Sequence, residues 1–225
     1  MMRDACLVVM VRCPEKGKVK TRLAADVGDI LAAELYRCFV EDLLPKMREV
    51  PADILIGFHP PSKRRCIEDW LGKGPGLIPQ RGRDIGERQA SLFETAFAMG
   101  YDRVIVMASD APDLPIGIVV KAFDELKVSD SVIGPCQDGG YNLIGFDTGG
   151  YNGDLFRDVP WGGPGAAKKM LERMERSGSR TASVETWWDV DDIDDLQALY
   201  RRSVKNGYSD RTISCIEREG LFDEG

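Results

Sequence analysis

The chain has 225 residues, 43% hydrophobic and 30% charged, and its 37 acidic against 30 basic side chains give a formal net charge of −7. That length suits one α/β domain, able to bury its own core without disulfides or structural metal. The negative balance excludes bulk nucleic-acid binding, which depends on neutralising phosphates, but a local basic loop can still take a small polyanion.

Apolar, β-branched runs alternate with helical patterns from the first residues onward, which predicts a mostly parallel sheet covered on both faces. A first strand is expected over residues 5–11, then a basic loop over 12–23 and a helix over 29–44 that Pro45 ends or kinks. A strand over 52–58 stops at Pro60-Pro61, and Ser62 is positioned to cap a short helix reaching Leu71. A short strand at 77–79 and a helix over 86–99, with Leu92, Ala96 and Met99 inward, precede the central strand at 103–108. Pro115 suits the first turn of a helix reaching Leu126. Strands at 131–134 and 141–146 follow, then a helix opened by Pro164, a last strand over 183–190 and a last helix over 193–204. The expectation is a single-domain three-layer sandwich over residues 1–206, with residues 207–225 as an extension serving packing or self-association.

The six cysteines, Cys6, Cys13, Cys38, Cys66, Cys136 and Cys215, contain no C-x-x-C pair, and His59 is the single histidine. A zinc site of ordinary spacing is therefore not expected. Scattered cysteines without a signal peptide read as reduced cytosolic thiols. The longest apolar run, residues 6–11, is too short to span a bilayer. A soluble, cytoplasmic protein is expected.

Four segments carry candidate chemistry. The loop Pro14-Glu15-Lys16-Gly17-Lys18-Val19-Lys20-Thr21-Arg22 follows the first strand, at the carboxyl edge where parallel sheets bind ligands. Gly17 would let backbone N–H groups approach a phosphate, and Lys18, Lys20 and Arg22 would neutralise it; the alternative is an ordinary solvated basic loop. Ser109-Asp110-Ala111-Pro112-Asp113 follows the central strand. Asp110 reads there as a ligand for Mg²⁺ or Mn²⁺, and Asp113 as a helix cap. Asp138-Gly139-Gly140-Tyr141 joins two strands, either as a close-approach site or as a plain turn. Asp189, Asp191 and Asp192 lie before the last helix, where some cap it and one would complete a metal site with Asp110. His59 reads as a strand-end surface residue. One of Trp187 and Trp188 reads as core, and Arg81, Arg83 and Arg88 as substrate contacts or a solvated patch.

In this order the segments resemble the GT-A-like nucleotide-diphospho-sugar transferase superfamily, and most closely the glycosyltransferase-like, radical-SAM/selenodomain-associated family. The likeness rests on P-x-x-G-x-V-K-T-R-L at 14–23, G-E-R at 86–88, S-D-x-P-x-L at 109–114, G-P-x-x-D-G-G-Y-x-L-I-G at 134–145, Pro160-Trp161, and D-V-D-x-x-x-D-L at 189–196. It spans roughly residues 5–200. The basic loop also resembles that of the 2-phospho-lactate guanylyltransferases.

The resemblance implies a metal-dependent transferase acting on a nucleoside triphosphate or nucleotide-sugar with an unspecified small-molecule acceptor. Lys20, Arg22 and Asp110 would then be catalytic, and Asp110, Asp191 and Asp189 would hold Mg²⁺ or Mn²⁺. Pro14, Gly17, Lys18, Thr21, Arg88, Asp138, Gly139, Gly140, Tyr141 and Trp161 would contact nucleotide or acceptor. The Trp161 loop departs from the family by reading Trp-Gly-Gly-Pro instead of Trp-Ser/Thr-x-Pro. Three readings stay open: nucleotidyl transfer with release of pyrophosphate, glycosyl transfer with Asp138 as base, and non-catalytic nucleotide binding.

Overall fold

The computed structural model describes residues 3–72, 76–159, 161, 165–206 and 210–222. Seven strands form one sheet in the order β3-β2-β1-β4-β6-β5-β7. They are β1 (Arg3–Arg12), β2 (Asp53–His59), β3 (Gly76–Pro79), β4 (Tyr101–Met107), β5 (Ser131–Pro135), β6 (Tyr141–Asp147) and β7 (Thr181–Ser183). β1 pairs in parallel with β2 and β4, its Val8 lying between Leu55 and Val106. Cys6 to Val9 have no exposed surface, as expected of a strand covered on both faces.

β6 alone runs against its neighbours, antiparallel to both β4 and β5. That reversal decides where the site forms. It brings the first residues of β6 to the same edge as the last residues of β1 and β4, so the 136–140 loop joins the loops after β1 and β4.

The helices are α1 (Thr21–Val27), α2 (Asp29–Met47), α3 (Arg64–Leu71), α4 (Ile85–Ala98), α5 (Ile116–Glu125), α6 (Ala166–Arg176), α7 (Ile193–Asn206) and α8 (Arg211–Arg218). α2, α3, α5, α7 and α8 contribute to one buried cluster with Leu7, Val9 and Leu143; α4 and α6 build the other, with Val8, Val106 and Phe146. The three-layer expectation is met.

Several local expectations are corrected. α2 continues past Pro45 to Met47: a proline removes only its own N–H bond, and the fully buried Met47 anchors the last turn. Ser62 caps nothing; it lies in a 3₁₀ turn, Pro61–Lys63, and α3 has no side-chain cap. Asp84 accepts the Glu87 N–H and starts α4 at Ile85, and Met99 beyond it is 43% exposed rather than inward.

The strand expected over 183–190 is limited to β7, and the expected Pro164 helix start lies outside the described residues. After β7 the regular strand stops. The chain returns to β5 in a single parallel bridge of Trp187 with Cys136, whose Trp187 N–H reaches Pro135 O at 3.1 Å, and Val190 N–H then reaches Asp110 O at 3.0 Å. This segment crosses from β5 to the end of β4. The 12–23 loop ends in α1, and residues 210–222 include α8, packed on α2 and α7. Cys13 and Cys66 are joined in a disulfide closing a separation of 53 residues, which corrects the expectation of six reduced thiols. Among the described residues, no helix is long and apolar enough to cross a membrane.

Candidate active site

Lys20 sits at the N-cap of α1 in a left-handed backbone conformation, φ 45°. This aims its side chain inward, where only 5% of it is exposed. Its Nζ lies 2.9 Å from Asp110 Oδ2 and 3.0 Å from Asp191 Oδ1. Burial, the largest influence, works to lower the Lys20 pKa, but the two carboxylates outweigh it and the pKa is raised. Arg22 donates to the other Asp191 oxygen.

The backbone holds this triad in place. Leu23 N–H bonds Asp191 O at 3.1 Å, and Val190 N–H bonds Asp110 O. Asp192 accepts the Asp195 N–H while Asp195 accepts from Asp191 and Asp192. This reciprocal cap starts α7 and leaves the Asp191 side chain free for the triad.

The triad forms one wall of a crevice of about 440 Å³, which is also lined by Arg12, Tyr36, His59, Arg88, Asn142 and Asp189 among others. Arg12 and Arg88 stand close enough that Arg12, after burial, depresses the Arg88 pKa. Neither is ion-paired to a carboxylate among the described residues. His59, half-buried at the end of β2 as its strand-end reading had it, lies beside them; burial, then Arg88 and Arg12, lower its pKa and favour the neutral imidazole. Tyr36 donates or accepts at Ser109 Oγ, 3.1 Å away, and receives the Arg12 N–H. Burial, then the charge of Asp110, push its phenol up to about 12.

Asp189, in the same lining, also clusters with Asp138 and Cys136, the three offering ligand atoms within 4.8 Å of one another. Burial, followed by the charges of Asp138 and Asp191, raises the Asp189 carboxyl to about 6.

Of the expected site residues, Lys20, Thr21, Arg22, Arg88, Asp110, Tyr141, Asp189 and Asp191 line the crevice; Pro14, Gly17, Lys18, Asp138, Gly139, Gly140 and Trp161 stand outside its lining. Lys18 is exposed, because the turn closed by its N–H on Glu15 O carries it outward while Val19 is buried. Asp138 bends back to accept the Gly140 N–H at 2.7 Å. Gly139, at φ 88°, receives the Ala167 N–H at the start of α6. Tyr141 donates to Gln89, and Trp161 packs edge-on against Tyr141.

Asp113 is not a helix cap: it accepts from Trp187 Nε1 and from Arg202, both near 3 Å. Trp187 is the inward member of its pair, packed on the core, and Trp188 is 38% exposed. Arg12, Tyr36, Asn142 and Gln80 were not anticipated. Arg12 could have been, as the last residue of a strand that ends at the ligand edge; Tyr36 has no local signal.

Gly86 allows Trp161 its place. A Cβ there would lie 2.4 Å from the Trp161 ring and 2.6 Å from Phe156 O. Gly-to-Ala in a helix ordinarily stabilises by about 1 kcal/mol. Here the clash reverses the sign, and Gly86→Ala should destabilise by roughly 1–3 kcal/mol in chemical denaturation; a stabilised variant would refute this packing.

A family model described as an uncharacterized protein conserved in bacteria, DUF2064, matches residues 45–163. A crystal structure from Desulfovibrio desulfuricans G20, provisionally named a nucleotide-diphospho-sugar transferase, shares 37% identity, covering 98% of this chain and 96% of its own, with a TM-score of 0.93. The chain belongs to the DUF2064 family.

The fold of this DUF2064 protein recurs at lower identity. A nucleotidyl transferase from Methanothermobacter thermautotroptrophicus matches with a TM-score of 0.61 at 16% identity, covering 90% of this chain and 99% of its own. CMP:2-keto-3-deoxy-manno-octonic acid synthetase, solved with CTP, matches with a TM-score of 0.55 at 11% identity, over 90% of this chain and 99% of its own. The nucleotide-diphospho-sugar transferase fold expected from the four motifs is the fold observed. No curated protein matches the DUF2064 chain in sequence.

Proposed function

We propose that this DUF2064 protein is a nucleotidyltransferase: an acceptor oxygen attacks the α-phosphorus of a nucleoside triphosphate, and pyrophosphate leaves. The observation that carries the reading is the division of charge within one crevice. Arg12 and Arg88, beside His59, form a cationic end without carboxylate ion pairs among the described residues, while Lys20 stands between Asp110 and Asp191 at the other. Four cationic side chains, Arg12, Lys20, Arg22 and Arg88, suit a triphosphate. Glycosyl transfer is less well supported, because its candidate base Asp138 lies outside the crevice lining and is committed to Gly140.

Asp110 and Asp191 fit a divalent cation. Their oxygens converge on one cationic point, now the Lys20 ammonium, and hard carboxylate donors suit Mg²⁺ or Mn²⁺. Such an ion, when bound, neutralises phosphate charge. Lys20 would contact a phosphate oxygen, Arg12 and Arg88 would bind the polyphosphate, and the buried Tyr36–Ser109 pair keeps the end of β4 in place. Catalysis on this reading is positioning and charge stabilisation.

The test is product analysis over a panel of nucleoside triphosphates, nucleotide-sugars and phosphorylated acceptors with Mg²⁺ or Mn²⁺. Pyrophosphate release that Asp110→Asn lowers by about 10²–10³-fold supports the proposal. Release of a nucleoside diphosphate, or an Asp110→Asn variant of unchanged rate, overturns it. The crystal relative's nucleotide-diphospho-sugar transferase name and the nucleotidyl transferase sharing the fold both support a transferase.

A further inference from the structure

The C-terminal helix α8 lies antiparallel along α2, and three consecutive turns of α2 fix its register. At one end Arg218 Nη2 meets Glu34 Oε1 at 2.5 Å. At the other, Asp42, only 8% exposed, accepts the Arg211 and Thr212 N–H groups at 3.1 and 2.9 Å and the Thr212 hydroxyl at 2.6 Å. Cys38 lies one helical turn from each of Glu34 and Asp42, and Cys215 lies between Arg218 and Thr212. The flanking pairs therefore bring the two thiols face to face, and both line one open groove between the helices.

We propose that Cys38 and Cys215 form a reversible disulfide that staples α8 to α2. Within the groove the Cys215 sulfur receives Arg218 Nη2 at 3.4 Å. This guanidinium contact favours the thiolate at Cys215, and Cys38 has no such cationic donor among the described residues. Cys215 is therefore the attacking sulfur and Cys38 the resolving one.

With hydrogen peroxide as oxidant, the Cys215 thiolate attacks one peroxide oxygen. The O–O bond breaks, and hydroxide leaves and takes up a proton as water. Cys38 then attacks the Cys215 sulfenic sulfur, forming the S–S bond as the S–O bond breaks. The departing hydroxide takes the Cys38 proton. Two thiols and one peroxide thus give one disulfide and two waters.

The full-length protein, treated with hydrogen peroxide and then alkylated under denaturing conditions, should yield a peptide linking Cys38 to Cys215, separate from the Cys13–Cys66 peptide and two hydrogens lighter than its reduced parts. Cys6 and Cys136, which lie outside this groove, should be recovered alkylated. Cys38→Ser should leave a sulfenic acid at Cys215 that dimedone captures, and thiol reductant should reverse the link in the wild-type protein. Recovery of both Cys38 and Cys215 as alkylated thiols overturns the proposal, as does linkage of either to a different cysteine. The wild-type peptide map decides even if a serine variant fails to fold.

Discussion

On the proposed nucleotidyl transfer, Lys20→Met should lower turnover by about 10²–10³-fold, the cost of removing one preorganised charge. The same substitution leaves two partly buried carboxylates without their shared cation, at about 1–3 kcal/mol of stability. The two effects separate on adding Mg²⁺ or Mn²⁺. Where the ammonium is gone, the divalent ion no longer competes with it, so the variant should show a larger metal-dependent rise in Tm than the wild type while remaining inactive.

The pH dependence follows from the raised Lys20 pKa. A base whose folded pKa lies above its unfolded value contributes stability that is complete below the unfolded value, about 10.4 for lysine, and is lost as pH rises through the folded one. Across neutral pH the Lys20 contribution should therefore be flat, and the wild-type excess over Lys20→Met should shrink only in strong alkali. A variant that keeps wild-type turnover would remove Lys20 from the mechanism.

Reduction of Cys13–Cys66 is the second large effect. The bond closes 53 residues of sequence separation, which on the chain-entropy account is worth about 4 kcal/mol. At roughly 2–4 °C per kcal/mol for a domain of this size, reductant or a Cys13→Ser/Cys66→Ser double variant should lower Tm by on the order of 10 °C. Activity should suffer as well, because Cys13 adjoins Arg12 and its N–H holds His59 O at 2.9 Å. An unchanged Tm together with free thiols at both positions before reduction would show that the bond does not form.

Much of this was legible in the residues. The strands of the central sheet follow from β-branched runs, and Asp110 from its place after β4. Lys20 and Arg22 were found by loop position, Asp189 and Asp191 by position before a helix. What local pattern does not carry is direction and partnership. Nothing around Lys18 and Lys20 says that one points to solvent and the other inward; that depends on a left-handed residue at the start of α1. The strand expected over 183–190 is broken into β7 and one bridge at Trp187, because from Val190 the backbone bonds turn to Asp110 at the end of β4. The Cys13–Cys66 pairing and the place of Tyr36 depend on helices packed from distant sequence, and no spacing rule reaches that far.

The triad has a further consequence for how the chain is made. Its members come from three distant points: Lys20 and Asp191 are 171 residues apart, and Asp110 lies between them. During synthesis the amino-terminal strands and helices emerge and begin to organise first, but Lys20 has no second carboxylate until the ribosome has passed Asp191. Catalytic competence should therefore appear abruptly and late in translation, after the sheet exists, and a nascent chain arrested short of α7 would be folded in outline yet chemically silent.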